Sequence, residues 1–353
     1  MQPLIINQSD FVSFKIPFSK PFTFAGNTIA ERNGFYLTLE TSEGLSAQGE
    51  AAPLEGLSGE TIRRVKHDLT ETCAYLREFR IPAAKDEWLD ALRHDAHILN
   101  LCPSARFAVE SALLMLAAKA AGQSPAEFLG GQLKDVPTAV LLQGSHQEVI
   151  ADVKRFVRQG VRVFKLKVGD RNIALDVKKV QDIRALLDDE SYMRLDGNRA
   201  WTLKEACVFA DLAGNQKIDF IEEPVNDAAQ LGAFYAQTHM RLGLDETLGV
   251  VRSGMQAPGR CSPPLAGQEG VAAYVLKPML LGLIPVLDWI HEAQATQRKA
   301  IISSSFESPV GFKVLAHLAC LSGQVTGLGT ERWLKNIKPI VGEDGIIKKG
   351  SLI

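Results

Sequence analysis

From about Val136 onward, short apolar runs alternate with amphipathic stretches along the chain. The runs predict eight strands, at 138–143, 161–168, 192–196, 218–222, 241–245, 273–277, 300–305 and 324–328. Helical patterns fill most of the gaps between them, for example over 172–187, 203–213 and 283–295. Eight strands with crossover helices favour a closed parallel barrel over an open sheet. A doubly wound sheet is the competing fold, but the Gly-x-Gly-x-x-Gly turn typical of that fold does not follow the first strand.

The residues before this repeat follow a different pattern. Stretches 5–16, 34–40 and 47–51 are typical of strands in an antiparallel sheet. Helices are predicted from Ser58 onward and over 104–121. We therefore predict an α+β domain over 1–133 and a barrel domain over 134–330. The tail, 331–353, is expected to pack back on the first domain.

The composition excludes several classes of protein. The chain has 353 residues, 46% of them hydrophobic, and a formal net charge of −2, so it offers no basic surface for nucleic acid or an anionic membrane. No apolar run reaches the ~18 residues of a membrane span, and the N-terminus lacks the pattern of a signal peptide. The five cysteines and seven histidines show no metal-ligand spacing. We expect a cytoplasmic enzyme that acts on a small molecule.

Charged residues recur at or near the ends of the predicted strands. They are Lys165 and Lys167, then Asp196, Glu222, Asp245 and Lys277, and from Lys167 onward the steps are 29, 26, 23 and 32 residues. Each step is about one strand plus one helix. Because the strand ends of a parallel barrel meet at one mouth, we expect all six side chains to converge there.

Two of the lysines share one strand, in the run Phe164-Lys165-Leu166-Lys167-Val168. Alternation along the strand turns the apolar residues toward the helices and both lysines into the barrel. The alternative is a pair of solvated lysines on an edge strand, which the apolar neighbours on both sides disfavour. Two like charges close together depress each other's pKa, and this suits a lysine that acts as a base near neutral pH.

The three carboxylates predict a cation site. Asp196, Glu222 and Asp245 would repel one another unless a cation or the lysines neutralise them. Oxygen ligands without nearby His or Cys favour Mg²⁺, for which Mn²⁺ can substitute. Asn198 and Glu223 are adjacent polar residues that could hold the ligands or a lysine in place. Each acidic residue could instead start a helix, but three in register with the lysines favour the metal.

Other residues at the same mouth could contact a substrate. Lys277 lies across the barrel from the lysine pair if eight strands are assumed. A substrate between these lysines and a metal could lose a proton α to a carboxylate, and the resulting enediolate would be stabilised electrostatically. Ser303 and Ser305 could hydrogen-bond an anion or a carbonyl group, or could cap the next helix. Gly327, in the last strand, leaves room for contact between backbone and ligand.

These residues resemble the motifs of the enolase superfamily over nearly the whole chain. The shared motifs are Lys-x-Lys at 165–167, Asp-x-Asn at 196–198, Glu-Glu-Pro at 222–224, Leu-Asp-Glu at 244–246 and Leu-Lys-Pro at 276–278. The resemblance implies an α/β fold, a modified (β/α)₇β TIM-type barrel with an N-terminal α+β capping domain. It also implies that Asp196, Glu222 and Asp245 hold Mg²⁺, and that a lysine generates an enediolate.

Within the superfamily, the chain is most similar to the o-succinylbenzoate synthases. Three passages carry the likeness: 194–201, 302–308 with Gly311, and the loop 53–61, which would close over the site and bring Gly56 to the substrate. The resemblance implies syn dehydration of a dicarboxylate, 2-succinyl-6-hydroxy-2,4-cyclohexadiene-1-carboxylate, to 2-succinylbenzoate in menaquinone biosynthesis. It implies that Lys167 removes the α-proton and returns it to the departing hydroxyl. Lys165 would support Lys167 electrostatically, and Lys277 would stabilise the enediolate.

Two other functions stay open. Relatives with the same lysines racemise N-acylamino acids, epimerise dipeptides or open and close lactones, so a racemase with Lys167 and Lys277 as opposed bases is the first alternative. The dipeptide epimerases usually carry Asp-x-Asp on the last strand, where this chain has Gly-Leu-Gly-Thr at 327–330. The second alternative is a barrel that binds an anion without turnover, although such a site has no need of two inward lysines beside a metal.

Overall fold

The computed structural model describes residues 3–24, 27–54, 58–249 and 268–352. Within these ranges, an antiparallel unit precedes a curled parallel sheet that is surrounded by helices. This order confirms the predicted fold class, an α+β capping unit followed by a TIM-type barrel. In the described ranges, the helices are too short or too polar to cross a membrane.

The capping unit is built on an antiparallel sheet in the order β3–β2–β1–β4. Its strands are β1 Leu4–Phe24, β2 Asn27–Thr41, β3 Ser46–Ala51 and β4 Arg80–Ile81. The helices that follow are α1 Ile62–Tyr75, α2 Lys85–His94, α3 Ala96–Asn100, α4 Pro103–Ala120 and α5 Pro125–Phe128. Helix α4 packs so closely on β3 that a Cβ at Gly49 would lie 1.9 Å from the carbonyl oxygen of Ala108. This contact therefore requires glycine.

The second unit is a parallel sheet in the order β12–β11–β10–β9–β8–β7–β6. Its strands are β6 Val140–Leu142, β7 Val163–Lys167, β8 Tyr192–Asp196, β9 Ile218–Glu222, β10 Leu242–Leu244, β11 Val271–Leu276 and β12 Lys299–Ile302. Its helices are α6 His146–Arg158, α7 Ile173–Arg184, α8 Leu203–Ala213, α9 Leu231–Thr238, α10 Pro278–Leu281, α11 Leu283–Ala295 and α12 Pro309–Ser322. Capping boxes start two of them, Ser145 with Glu148 at α6 and Thr202 with Glu205 at α8.

The barrel closes at a seam where the sequence predicts an eighth strand over 324–328. Instead of a strand, the structure has two isolated parallel bridges, Thr326 to Thr138 and Gly327 to Ser303. The amide of Gly327 donates to the carbonyl of Ile302 at 2.8 Å, and the amide of Ala139 donates to Thr326 at 2.8 Å. Because these bonds reach β12 on one side and the start of the first barrel strand on the other, two residues are enough to close the cylinder.

The tail contacts both units. Leu334 bridges to Phe18 of β1, and the Lys335 amide donates to Pro17 at 2.8 Å. Farther along, β13 Ile346–Ile347 pairs antiparallel with β5 Val136–Pro137 at the entrance to the barrel. The capping helices end at Phe128 and the barrel strands begin at Val140, and on this ground we propose a domain boundary at 133/134.

Charged residues also fill the barrel at the end opposite the mouth. Asp219 is 4% exposed and accepts from Arg194 at 3.3 Å, from Lys299 at 2.6 Å and from Arg241 at 3.4 Å. Arg194 and Asp196 stand two residues apart on β8, so they share the inner face of the strand. The inner face therefore carries charged pairs at both ends, Arg194 with Asp219 at the floor and lysines with carboxylates at the mouth.

Candidate active site

The six predicted charged residues lie together at the mouth of the barrel. Lys165 and Lys167 are on β7, Asp196 and Glu222 end β8 and β9, Asp245 follows β10, and Lys277 follows β11. In the parallel register, Lys167 is opposite Asp196, which is in turn opposite Glu222. Parallel strands carry their carboxyl ends at one edge, and this topology alone brings residues more than 100 positions apart in sequence to one site.

Alternation on β7 places both lysines inward. Phe164 and Leu166 are buried toward the helices, while the ammonium of Lys165 lies 3.0 Å from Asp196 Oδ2 and 2.5 Å from Glu222 Oε2. Across the barrel, Lys277 Nζ lies 2.5 Å from Asp245 Oδ2. Each carboxylate therefore has an ammonium partner, as buried charges require.

The three lysines differ in pKa because their neighbours differ. Burial lowers the pKa of Lys167, and the nearby ammonium groups of Lys165 and Lys277 lower it further. Burial also disfavours the charged form of Lys165, but Asp196 and Glu222 outweigh it and raise its pKa. In the same way, Asp245 and Glu246 raise the pKa of Lys277 to about 12. The prediction that the lysine pair depress each other's pKa is therefore wrong for Lys165, since two carboxylates contact it directly.

The carboxylates Glu222 and Asp196 differ in the direction of their pKa shifts. Burial raises the pKa of Glu222 to about 8, and Asp196 and Asp245 add to this effect. For Asp196, burial is outweighed by Lys165 and the other lysines, which lower its pKa. In the described part of the chain, no three His, Cys, Asp or Glu side chains stand close enough together to hold a metal ion. Nevertheless, three buried groups that offer only oxygen fit a hard cation such as Mg²⁺ by chemistry.

Asn198 links Lys167 on β7 to Glu246, which follows β10, the third strand from β7. Its Oδ1 accepts from Lys167 Nζ at 2.8 Å, and its Nδ2 donates to Glu246 Oε1 at 3.0 Å. Its backbone has a φ of +42°, in the left-handed region that few residues other than glycine and asparagine adopt. Asn198 therefore holds the Lys167 ammonium through its side chain and adopts the left-handed turn with its backbone. Glu246 belongs to the Leu-Asp-Glu motif, but the spacing of that motif does not predict the hydrogen bond between Glu246 and Asn198.

Glu223 is fully buried and holds the loop that carries Asp245. Its Oε1 accepts from the amides of Asp245 and Thr247, both at 2.9 Å. Its Oε2 accepts from Thr247 Oγ1 at 2.7 Å and from Arg199 Nε at 3.1 Å. The alternative of a helix start at Glu223 does not apply, since the side chain turns inward. Arg199 and Thr247 were not predicted; their only sequence signal is adjacency to the motifs.

A pocket lies above these residues, between the barrel and the capping unit. The residues that line it are Ile29, Leu54, Ala139, Leu141, Lys165, Lys167, Asp196, Asn198, Lys277, Ser303, Ser304, Ser305, Phe306, Gly327, Gly329 and Thr330. Three of the four residues predicted to contact a substrate are in this lining. The fourth, Gly56, lies outside the described residues. A Cβ at Gly327 would lie 2.8 Å from Ser303 Oγ, so glycine keeps this wall open.

The serines of this wall do not cap the helix that follows them. Ser308 does so, because its Oγ accepts from the Val310 amide at 3.2 Å. Ser304 donates to Glu307 at 2.6 Å and accepts from Thr330 at 2.7 Å. Leu54 belongs to the loop 53–61 that the resemblance places over the site. Sequence reasoning did not single out Ser304, Phe306 or Ile29, because the period of the barrel does not distinguish them.

Two family profiles match the chain. Residues 148–351 match "Enolase C-terminal domain-like", and residues 10–130 match "Mandelate racemase / muconate lactonizing enzyme, N-terminal domain". The o-succinylbenzoate synthase of Aliivibrio fischeri is 31% identical over 87% of this chain and 84% of its own length. The L-Ala-D/L-Glu epimerase of Bacillus subtilis is 26% identical over 96% of this chain and 91% of its own. The crystal structure of the dipeptide epimerase from Enterococcus faecalis, complexed with Mg and a dipeptide, superposes with a TM-score of 0.80 at 23% identity, covering 99% of this chain and 97% of that one.

Proposed function

This chain belongs to the mandelate racemase/muconate lactonizing enzyme family of the enolase superfamily, and from that premise we propose that it is an o-succinylbenzoate synthase. The proposed reaction is the syn dehydration of 2-succinyl-6-hydroxy-2,4-cyclohexadiene-1-carboxylate to 2-succinylbenzoate. Such an enzyme would act in the cytoplasm, in menaquinone biosynthesis. Similarity to the o-succinylbenzoate synthase of Aliivibrio fischeri supports this assignment.

The observation that carries the proposal is the wall formed by residues 303–306 and 327–330. Gly327, Gly329 and Thr330 line the pocket there, at the place where dipeptide epimerases usually carry Asp-x-Asp for the peptide amine. The proposed substrate has two carboxylates, which a carboxylate wall would repel. A hydroxyl group such as that of Ser303, which lines this wall, can donate a hydrogen bond to an anion instead.

The proposed chemistry begins at Lys167, whose lowered pKa suits a general base. The neutral amine takes the proton α to the ring carboxylate, and the C–H electron pair moves into an enediolate. The Lys167 ammonium then gives the proton to the hydroxyl on the same face. The C–O bond breaks, water leaves and the ring becomes aromatic. Lys277, on the opposite side of the pocket, would keep a positive charge near the enediolate.

The donor set for a metal in this proposal is Asp196, Glu222 and Asp245, with Glu223 holding the Asp245 loop. Mg²⁺ bound there would supply a Lewis acid that offsets the second negative charge that the substrate carboxylate acquires in the enediolate. Lys165 would remain beside Asp196 and Glu222 and support Lys167 through its charge.

A direct assay tests the proposal. The purified protein is mixed with the cyclohexadiene substrate and Mg²⁺, and the aromatic product is followed by its ultraviolet absorbance and by mass. We expect the substrate to be consumed with stoichiometric release of 2-succinylbenzoate. Lys167→Ala, checked for an unchanged melting temperature, is the matched negative control. Folded wild-type protein that leaves the substrate intact would refute the assignment.

A racemase of N-acylamino acids is the second candidate, because Lys167 and Lys277 line the same pocket from β7 and from the end of β11. Two opposed bases can remove and replace an α-proton on either face. Incubation of N-acylamino acids in heavy water distinguishes the two functions. Incorporation of α-deuterium faster than dehydration of the cyclohexadiene would favour the racemase.

A further inference from the structure

A buried arginine of the capping unit donates hydrogen bonds to the backbone of two segments beside the pocket. Arg32, on β2, is 1% exposed. Its Nε donates to the carbonyls of Ser305 and Phe306, both at 3.2 Å. Its Nη1 donates to the carbonyl of Pro53 at 2.6 Å, and its Nη2 donates to that of Ala52. One planar guanidinium thus joins four carbonyls from two separate segments, which only an arginine can do.

Both segments face the substrate pocket on their other side. Ser305 and Phe306 line the pocket, and so does Leu54, the residue after Pro53. Arg32 does not line it. It therefore acts through the backbone of residues that do.

The conformation of Phe306 needs such support. Its φ is +63°, in the left-handed region that is strained for an aromatic residue. Its ring packs edge-to-face on Phe18 of the capping sheet, with centroids 5.2 Å apart. The capping unit therefore contacts this residue twice, at its ring and at its carbonyl.

Two buried carboxylates complete the contacts around the segment 303–308. Glu307 accepts from the Ser305 amide at 2.8 Å and from Ser304 Oγ at 2.6 Å. Glu50 of β3 accepts from the Ser308 amide at 3.0 Å, from Ser308 Oγ at 2.6 Å and from the Gly311 amide at 2.9 Å. The capping unit thus contacts this segment through two charged residues. Arg32 donates to the carbonyls of Ser305 and Phe306, and Glu50 accepts from the amides of Ser308 and Gly311.

We propose that Arg32 is a positioning residue that sets the serine segment 303–306 against Leu54 and so determines how tightly the substrate is held. The inference rests on the proposed function for the identity of the substrate, but not for the contacts. Lys167, which transfers the proton in the proposed reaction, lies on β7, so loss of the Arg32 contacts should weaken binding more than it slows the chemical step.

The test compares Arg32→Lys and Arg32→Met with a matched control, Arg298→Lys. Arg298 also donates to backbone carbonyls, Val271 at 3.0 Å and Gln268 at 3.4 Å, but it does so at the start of β11, the end away from the mouth. Arg32→Lys keeps the buried positive charge and is the variant expected to fold; thermal unfolding checks this. Steady-state kinetics on the cyclohexadiene and hydrogen–deuterium exchange of the 303–308 amides are the two measurements.

We expect Arg32→Lys to raise KM at least tenfold and to change kcat less than threefold, and to speed exchange at 303–308. Arg32→Met should show both effects more strongly, and Arg298→Lys neither. An unchanged KM, or exchange as slow as in wild type, would overturn the inference. If wild type does not convert the cyclohexadiene, the proposed function fails separately, and the exchange measurement alone then decides whether Arg32 holds the segment.

Discussion

Replacement of Glu223 should reveal how firmly the Asp245 loop is held. The carboxylate is fully buried and accepts four hydrogen bonds, from two backbone amides, one hydroxyl and one guanidinium. Glu223→Gln keeps the shape and one acceptor oxygen, which can still serve the amides of Asp245 and Thr247. Its amide nitrogen would face Arg199, which has no acceptor to offer. Glu223→Ala removes every acceptor.

Both variants should lower the free energy of unfolding, and the loss in Glu223→Ala should be more than twice the loss in Glu223→Gln. Hydrogen bonds to charged groups contribute about 1.5–3 kcal/mol, so loss of the Arg199 contact in Glu223→Gln should cost about 2 kcal/mol. Glu223→Ala also leaves two buried amides unpaired, each at about 1–2 kcal/mol, and should cost about 5 kcal/mol in total.

Urea unfolding at pH 7 with linear extrapolation measures these values. The control is Glu205→Gln, which alters an exposed carboxylate that also accepts from a backbone amide, that of Thr202 at 2.9 Å. We expect the control to cost less than about 1 kcal/mol. If Glu223→Gln were as stable as wild type, or as unstable as Glu223→Ala, the reasoning from counted hydrogen bonds would be refuted.

Three further predictions concern activity and pH. Lys167→Ala should lower the dehydration rate by about 10³-fold or more without a change in melting temperature, because base and acid are lost together; near-normal turnover would contradict the role given to Lys167. Chelation by EDTA should abolish turnover, and Mg²⁺ or Mn²⁺ should restore it; turnover in a protein shown by elemental analysis to be metal-free would contradict the metal site. Burial lowers the pKa of His317 to about 4, so the unfolded chain takes up the proton first as the pH falls. The free energy of unfolding should therefore decrease by up to about 3 kcal/mol between about pH 6.5 and 4, and His317→Leu, compared by urea unfolding at both pH values, should lose this dependence.

The sequence is sufficient to predict the barrel and its charged mouth because both follow from local rules. Alternation decides that Lys165 and Lys167 face inward, and repetition of strand and helix brings the later carboxylates to the same edge. The difference between those two lysines is not local. Both sit on one face of one strand, but Asp196 and Glu222 contact Lys165 and raise its pKa, whereas burial and the ammonium groups of Lys165 and Lys277 lower the pKa of Lys167.

The contribution of the capping unit could not be predicted in the same way. Arg32 stands 273 residues from Ser305, with which it bonds, and nothing in the period of β2 marks it as different from other residues on that strand. The sequence likewise predicts a strand over 324–328, where the structure has two isolated bridges. The sequence of a short run does not show how many of its residues find partners. Such contacts depend on how two units pack, and a single sequence carries no periodic signal for that.

The seam has a consequence for the order in which the chain can fold during synthesis. Thr326 and β13 pair with residues 136–139, which precede them in the chain by almost 200 positions or more, and Leu334 pairs with Phe18. The cylinder cannot shut while these later residues are still inside the ribosome. Translation adds about 5–20 residues per second, so residues 136–139 wait for several seconds before their partners emerge. A nascent chain that has already paired β6 to β12 would therefore carry an open sheet with an unpaired edge until 326 and 327 emerge. We expect this interval to be the time of greatest risk of aggregation and the moment when chaperones bind.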